Sequence, residues 1–136
     1  MTSSNAGDSD RASDDLTGLR ILLVEDSWHV GQAMKTLLEL VGAQVAGPAA
    51  TGADAERLFS ERVPDLALVD FHLRDGELAT SLINRLHDRG VPVIVITGYA
   101  VLPVRPKNVV TILQKPVRMD LLLATLRPFI ARKPAS

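Results

Sequence analysis

The sequence predicts one α/β domain built on a five-stranded parallel sheet. Three observations carry this expectation. Five short apolar runs alternate with longer stretches in which apolar residues recur at helical spacing. Runs separated in this way need crossover connections, which make the strands parallel and the crossovers right-handed. The length, 136 residues, suits one domain rather than two.

The elements follow in order. Met1 to Gly18 is rich in Ser, Asp, Gly and Ala, with four Asp against one Arg. Such a stretch buries too little apolar surface to offset its ordering entropy, so residues 1–18 are expected to be a disordered acidic tail. The folded domain is expected over 19–132, with 133–136 a flexible end. Leu19 to Val24 is a nearly continuous apolar run, suited to a strand covered on both faces. Ala33, Met34, Leu37, Leu38 and Val41 then mark the inner face of a helix ending at Gly42. Gln44 to Ala46 reads as a short second strand before a Gly-Pro turn. Ala53 to Arg62 reads as a helix with Ala55, Leu58 and Phe59 inward, closed by Pro64. Leu66 to Val69 is a third buried strand running into Asp70. Leu78, Leu82, Ile83 and Leu86 stripe a helix that stops near Gly90. Val91 to Ile96 is the fourth strand, ending at Thr97, and Val109 to Leu113 the fifth, ending near Lys115. The last helix carries Met119, Leu122, Leu123, Leu126 and Ile130, and Pro128 is expected to kink or stop it. Between the fourth and fifth strands, Pro103 and Pro106 leave room for at most one helical turn in a mobile loop.

Composition narrows the function. The absence of cysteine excludes disulfides and thiolate metal sites. A net charge of −1 gives no electrostatic reason to expect nucleic acid or an anionic membrane as partner. No apolar run approaches the roughly 18 residues that span a bilayer, and the basic-then-apolar pattern of a signal peptide is absent. A cytoplasmic protein is the expectation.

Parallel strands bring their carboxyl ends to one edge, where open α/β sheets bind ligands. Here the first strand ends in Glu25-Asp26, the third in Asp70 and the fourth in Thr97, while the fifth reaches Lys115. Each residue has a plainer role available: a helix N-cap, a turn former, a β-branched strand residue, a solvated charge. Together they form a much rarer pattern. Three clustered carboxylates repel one another and call for a positive partner. With oxygen ligands alone, a hard divalent ion fits, Mg²⁺ most naturally.

The segments Ile21–Asp26, Leu66–Asp70 through Asp75-Gly76, Val95-Ile96-Thr97-Gly98 and Gln114-Lys115-Pro116 resemble the receiver domain of two-component response regulators. The resemblance runs from Leu19 to about Ala131. It implies a doubly wound, flavodoxin-like sheet of order 2-1-3-4-5. It also implies phosphotransfer from a histidine kinase to Asp70, with Glu25, Asp26, Asp70 and the main-chain carbonyl of His72 holding Mg²⁺. Lys115 would pair with one phosphoryl oxygen and the Thr97 hydroxyl would bond another. A cis Lys115-Pro116 bond would fix the turn that aims the lysine.

The pattern departs from the usual receiver in two places. The position three before the lysine, normally aromatic, is Ile112, which cannot act as a Tyr or Phe rotamer switch. Thr97-Gly98-Tyr99 instead looks like the single-domain subgroup with a Phe-Ala-Thr-Gly-like motif and a shortened fourth helix, so Tyr99 and its loop are expected to serve as the switch. The loop after Asp70 also lacks the usual Met-Pro pair, and His72 is expected to modulate phosphoryl lifetime. His29 and His87 lie on helices without supporting neighbours. Trp28, beside the acids, is expected at a helix start.

Other classes fit less well. A dehalogenase-type phosphatase needs an acid two residues after its nucleophile, where this chain has His72. A nucleotide-binding turn after the first strand would be glycine-rich rather than acidic. A pseudo-receiver that binds partners without phosphorylation is the alternative reading. With no output module legible, output is expected through protein contacts with a kinase, a phosphotransferase or a downstream target, or as a phosphate sink. The expected oligomeric state is a monomer or weak dimer, and the only catalysis expected is that of its own phosphorylation and dephosphorylation.

Overall fold

The computed structural model describes residues 15–98 and 108–131. Five parallel strands form one sheet in the order β2-β1-β3-β4-β5: β1 Arg20–Val24, β2 Gln44–Ala49, β3 Leu66–Asp70, β4 Val93–Thr97 and β5 Thr111–Gln114. The helices are α1 Trp28–Leu40, α2 Gly52–Glu61, α3 Thr80–Asp88 and α4 Met119–Ala131, with a 3-10 turn at Arg74–Gly76. The expected strand order and doubly wound arrangement are both present.

Side-chain alternation along the strands makes the two faces. Ile21 and Leu23, Leu66 and Leu68, and Ile94 and Ile96 join Leu113 in one cluster, covered by Met34 and Leu38 of α1 and Leu122, Leu126 and Phe129 of α4. The intervening Leu22 and Val24, Ala67 and Val69, and Val93 and Val95 form the other, covered by Ala55 and Phe59 of α2 and Leu82, Ile83 and Leu86 of α3. Strands β3 and β4 are buried throughout, which is why they read as unbroken apolar runs.

Several boundaries differ from the sequence expectation, each for a physical reason. Leu16, placed in the tail by composition, is fully buried; its N–H donates to the Val41 carbonyl at 2.6 Å. Strand β2 continues through Gly47-Pro48, which is tolerated because β2 lies at the sheet edge. The β1–β2 register shifts there, Leu22 pairing with Ala46 and Val24 with Ala49. Both Gly47-Pro48 and Lys115-Pro116 are cis. In α1 the buried stripe is Gly31, Met34 and Leu38, so Ala33 and Leu37, one step around the helix, are exposed. Leu78 lies before α3 and is exposed as well. Pro128 neither stops nor ends α4, which runs on to Ala131. Its missing N–H costs a helical bond, but burial of Phe129 in the core, worth about 1.5–3 kcal/mol, holds the last turn in place.

Among the described residues no helix is long and apolar enough to cross a membrane. The expected loop at Gly98–Asn108 and its switch residue Tyr99 fall almost wholly outside the described residues, as do 1–14 and 132–136.

Candidate functional site

Strand register gathers the polar residues. Val24 pairs with Val69, so Glu25 and Asp70, the next residues along, lie level with each other. Asp70 pairs with Ile96, which sets Thr97 one step further on, and Thr97 pairs with Gln114, which sets Lys115 just beyond. The backbone N–H of Lys115 donates to the Thr97 carbonyl at 2.7 Å, fixing the lysine against the end of β4.

The side chains converge. Lys115 Nζ lies 3.0 Å from Glu25 Oε1 and 3.1 Å from Asp70 Oδ2. One carboxylate oxygen from each of Glu25, Asp26 and Asp70 lies within 4.8 Å of the others. Glu25, Asp70 and Thr97 are buried, while Asp26 is the more accessible acid. Burial pushes the Glu25 carboxyl up to about 7; the Lys115 hydrogen bond opposes this, and the charge of Asp70 adds to it. Burial draws the Lys115 ammonium down, but its hydrogen bonds to Glu25 and Asp70 outweigh that and leave it above its ordinary value. Among the described residues the three carboxylates share a single ammonium, so the pocket still favours positive charge. Its donors are all oxygen, and this is the chemistry of a hard cation site.

Two loops frame the pocket. After β1, the N–H of Ser27 donates to Glu25 Oε2 at 3.2 Å, and the Ser27 side chain caps α1 by accepting the Val30 N–H. Trp28 starts the helix as expected, exposed and edge-on to His29. After β3, the chain folds back on itself: His72 bridges Leu78, the Leu73 N–H donates to the Glu77 carbonyl at 2.8 Å, and the Ala79 N–H to the Phe71 carbonyl at 2.9 Å. The His72 N–H donates to Asp70 Oδ1 at 3.3 Å. Arg74 crosses between the loops, its Nη2 reaching the Asp26 carbonyl at 3.3 Å. Ile112 is half-buried against the core face that holds Val93 and Val95. His87 is exposed at the end of α3.

Every sequence-predicted site residue within the described regions lies at this one edge. Sequence reading missed Arg74, Glu77 and Arg85. None has a motif of its own, because each acts across 25 or more residues of chain.

The sequence profile of the response regulator receiver domain matches residues 21–127. The chain belongs to the response regulator receiver family. It is similar to the phyllosphere-induced regulator PhyR of Methylorubrum extorquens, 37% identical over 81 residues, covering 58% of this chain and 30% of PhyR. It is also similar to the swarming motility regulation protein RssB of Serratia marcescens, 38% identical over 81 residues, covering 59% of this chain and 36% of RssB. The receiver spans between 22% and 36% of the length of the curated relatives it matches. In structure it is similar to the Brucella abortus PhyR response regulator, with a TM-score of 0.75 at 26% identity, covering 93% of this chain and 54% of that one. The receiver domain of Erythrobacter litoralis PhyR shares the fold, with a TM-score of 0.74 at 24% identity and coverage of 89% and 98%. Receivers are regulatory modules of two-component signalling rather than catalytic enzymes, and they bind Mg²⁺ at an acidic pocket.

Proposed function

We propose that this receiver accepts a phosphoryl group on Asp70 from a phosphohistidine of a kinase or phosphotransferase, and signals through protein contacts. The observation that carries the reading is the convergence of Glu25, Asp26, Asp70 and Lys115 on one small volume at the carboxyl edge. In the transfer, an Asp70 oxygen attacks phosphorus and the P–N bond to the donor imidazole breaks. The imidazole nitrogen leaves with the bonding pair and takes up a proton. Lys115 pairs with one phosphoryl oxygen. The Thr97 hydroxyl donates to another, a contact made only after transfer, so it biases a two-state equilibrium. Glu25, Asp26 and Asp70, with the His72 carbonyl, are the residues that would hold Mg²⁺, and the all-oxygen donor set fits that ion. When bound, Mg²⁺ neutralises charge on the equatorial phosphoryl oxygens.

With Ile112 aliphatic, Thr97 and Tyr99 are the proposed switch, and His72 tunes phosphoryl lifetime. A protein partner is supported by exposed apolar residues near the pocket: Trp28, Val30 and Leu37. Val30 and Leu37 line a groove of about 510 Å³ that also takes in Lys115. A cytoplasmic location goes with this reading, as does a phosphate-sink role if no target responds. The test is intact mass after incubation with acetyl phosphate and Mg²⁺. One added phosphoryl group, dependent on Mg²⁺ and absent from Asp70→Asn, is expected. No adduct after a rapid quench, together with no response to beryllofluoride, would leave a phosphorylation-independent binding module.

A further inference from the structure

The loop that follows Asp70 is tied to the start of α2 by the Glu77 carboxylate. Glu77 Oε1 accepts the backbone N–H of Gly52, the first residue of α2, at 3.1 Å. Gly52 is buried, and a Cβ there would fall 2.5 Å from Glu77 Oε2 and 3.3 Å from Arg85 Nη2. The carboxylate and the guanidinium therefore fill the space that any larger residue would need. From α3, Arg85 Nη1 reaches Glu56 Oε1 of α2 at 2.7 Å. The Arg74 N–H donates to the Ala50 carbonyl at 3.3 Å, so backbone and side chain both tie this loop to the start of α2.

The backbone of Glu77 belongs to the folded-back loop. Its carbonyl accepts the Leu73 N–H and its N–H donates to the Arg74 carbonyl at 3.2 Å. One residue further out, Leu78 bridges His72, whose N–H reaches the Asp70 carboxylate. A short hydrogen-bonded path thus runs from the N-terminus of α2, through Glu77, to the main chain of His72 and to Asp70.

We infer that Glu77 is a positioning residue for chemistry at Asp70: anchored on the Gly52 N–H, it fixes the main chain of His72 beside the acceptor carboxylate. This rests on the reading of Asp70 as phosphoacceptor. A carboxylate receiving N–H groups at a helix start is held by a charge-assisted bond and by the helix dipole. Groups that orient a metal's direct ligands typically change affinity or activity 10–100-fold when removed, and small misplacements slow a reaction that depends on alignment.

The experiment measures two quantities on the wild-type chain, Glu77→Ala, Glu77→Gln and Gly52→Ala. The first is Mg²⁺ affinity, from the fluorescence of Trp28, the sole tryptophan. The second is the rate of adduct formation with acetyl phosphate at saturating Mg²⁺. Circular dichroism establishes that each variant is folded. Glu77→Ala is expected to lose about tenfold in Mg²⁺ affinity and in rate. Glu77→Gln should recover most of both, because its amide oxygen still accepts the Gly52 N–H. Gly52→Ala should mimic Glu77→Ala, because its methyl group displaces the carboxylate. Wild-type values for folded Glu77→Ala and Gly52→Ala would overturn the positioning role while leaving Asp70 as acceptor. A wild type that forms no adduct, with Mg²⁺ affinity unchanged across the series, would overturn both.

Discussion

The loop leaving β1 and the loop leaving β3 both feed the acid pocket, and they are held in place by different means. The first is brief and local: Glu25 ends the strand, its carboxylate takes the Ser27 N–H, and the Ser27 side chain caps α1. The second runs from Phe71 to Ala79, turns through Asp75 and Gly76 at positive φ, and depends on Gly52 and Ala50 from a different crossover. A site can thus draw one wall from sequence neighbours and the other from remote ones. The first wall is closed by its sequence neighbours, and Arg74 of the second loop reaches across to its Asp26 carbonyl. The second moves with whatever moves α2.

The sharpest way to break the contrast is to remove the lysine whose ammonium pairs with an acid from each wall. Lys115→Ala leaves Glu25 and Asp70 facing each other without their ammonium. A loss of about 2–3 kcal/mol is expected in urea denaturation without divalent ions, below the range for fully buried pairs because Lys115 is partly exposed. Mg²⁺ should bind this variant more tightly than wild type and restore much of its stability by mass action. A variant that Mg²⁺ fails to stabilise would argue against a cation site among these acids.

Asp26→Asn probes the first wall alone. As Asp26 is the most accessible of the three acids, its change should leave the thermal midpoint within a few degrees of wild type. Mg²⁺ affinity measured by Trp28 fluorescence should fall at least tenfold, by analogy with the loss of supporting groups at metal sites.

Gly76→Ala probes the turn of the second wall. Gly76 has φ of +80° with no atom within 4 Å of a built Cβ, so only backbone strain is tested. A stability loss of about 1 kcal/mol is expected. Slower phosphorylation should accompany it if the turn keeps the loop in register. Ser27→Ala should have the smallest effect, about 0.5–1 kcal/mol in thermal or urea melts, because its capping bond is long at 3.4 Å.

Much of this architecture was legible from residue order. The central strands stood out because two covered faces demand apolar side chains at every position, as in Leu66–Val69 and Val93–Ile96. The site stood out because parallel strands must bring Glu25, Asp70, Thr97 and Lys115 to one edge. The edges were harder. Gly47-Pro48 reads locally as a turn, and only its place on an edge strand lets it continue β2. Leu37 shares the helical spacing of its buried neighbours but lies beside the groove next to Lys115. Leu16 is an isolated apolar residue among polar ones, and its partner Val41 is remote in sequence. Glu77 and Arg85 were invisible for the same reason: a charge on a loop or helix reads as solvated until the fold supplies its partner.

Leu16 has a consequence for how the molecule is approached. It is seated at the start of β1, against the end of α1, whereas the acids lie where β1 finishes. Five residues of strand separate the two ends by about 17 Å. A fluorophore, a surface tether or an affinity handle carried on exposed position 17 would sit at the pole opposite the acids. That position is a natural handle for immobilising the protein while its acid pocket is titrated.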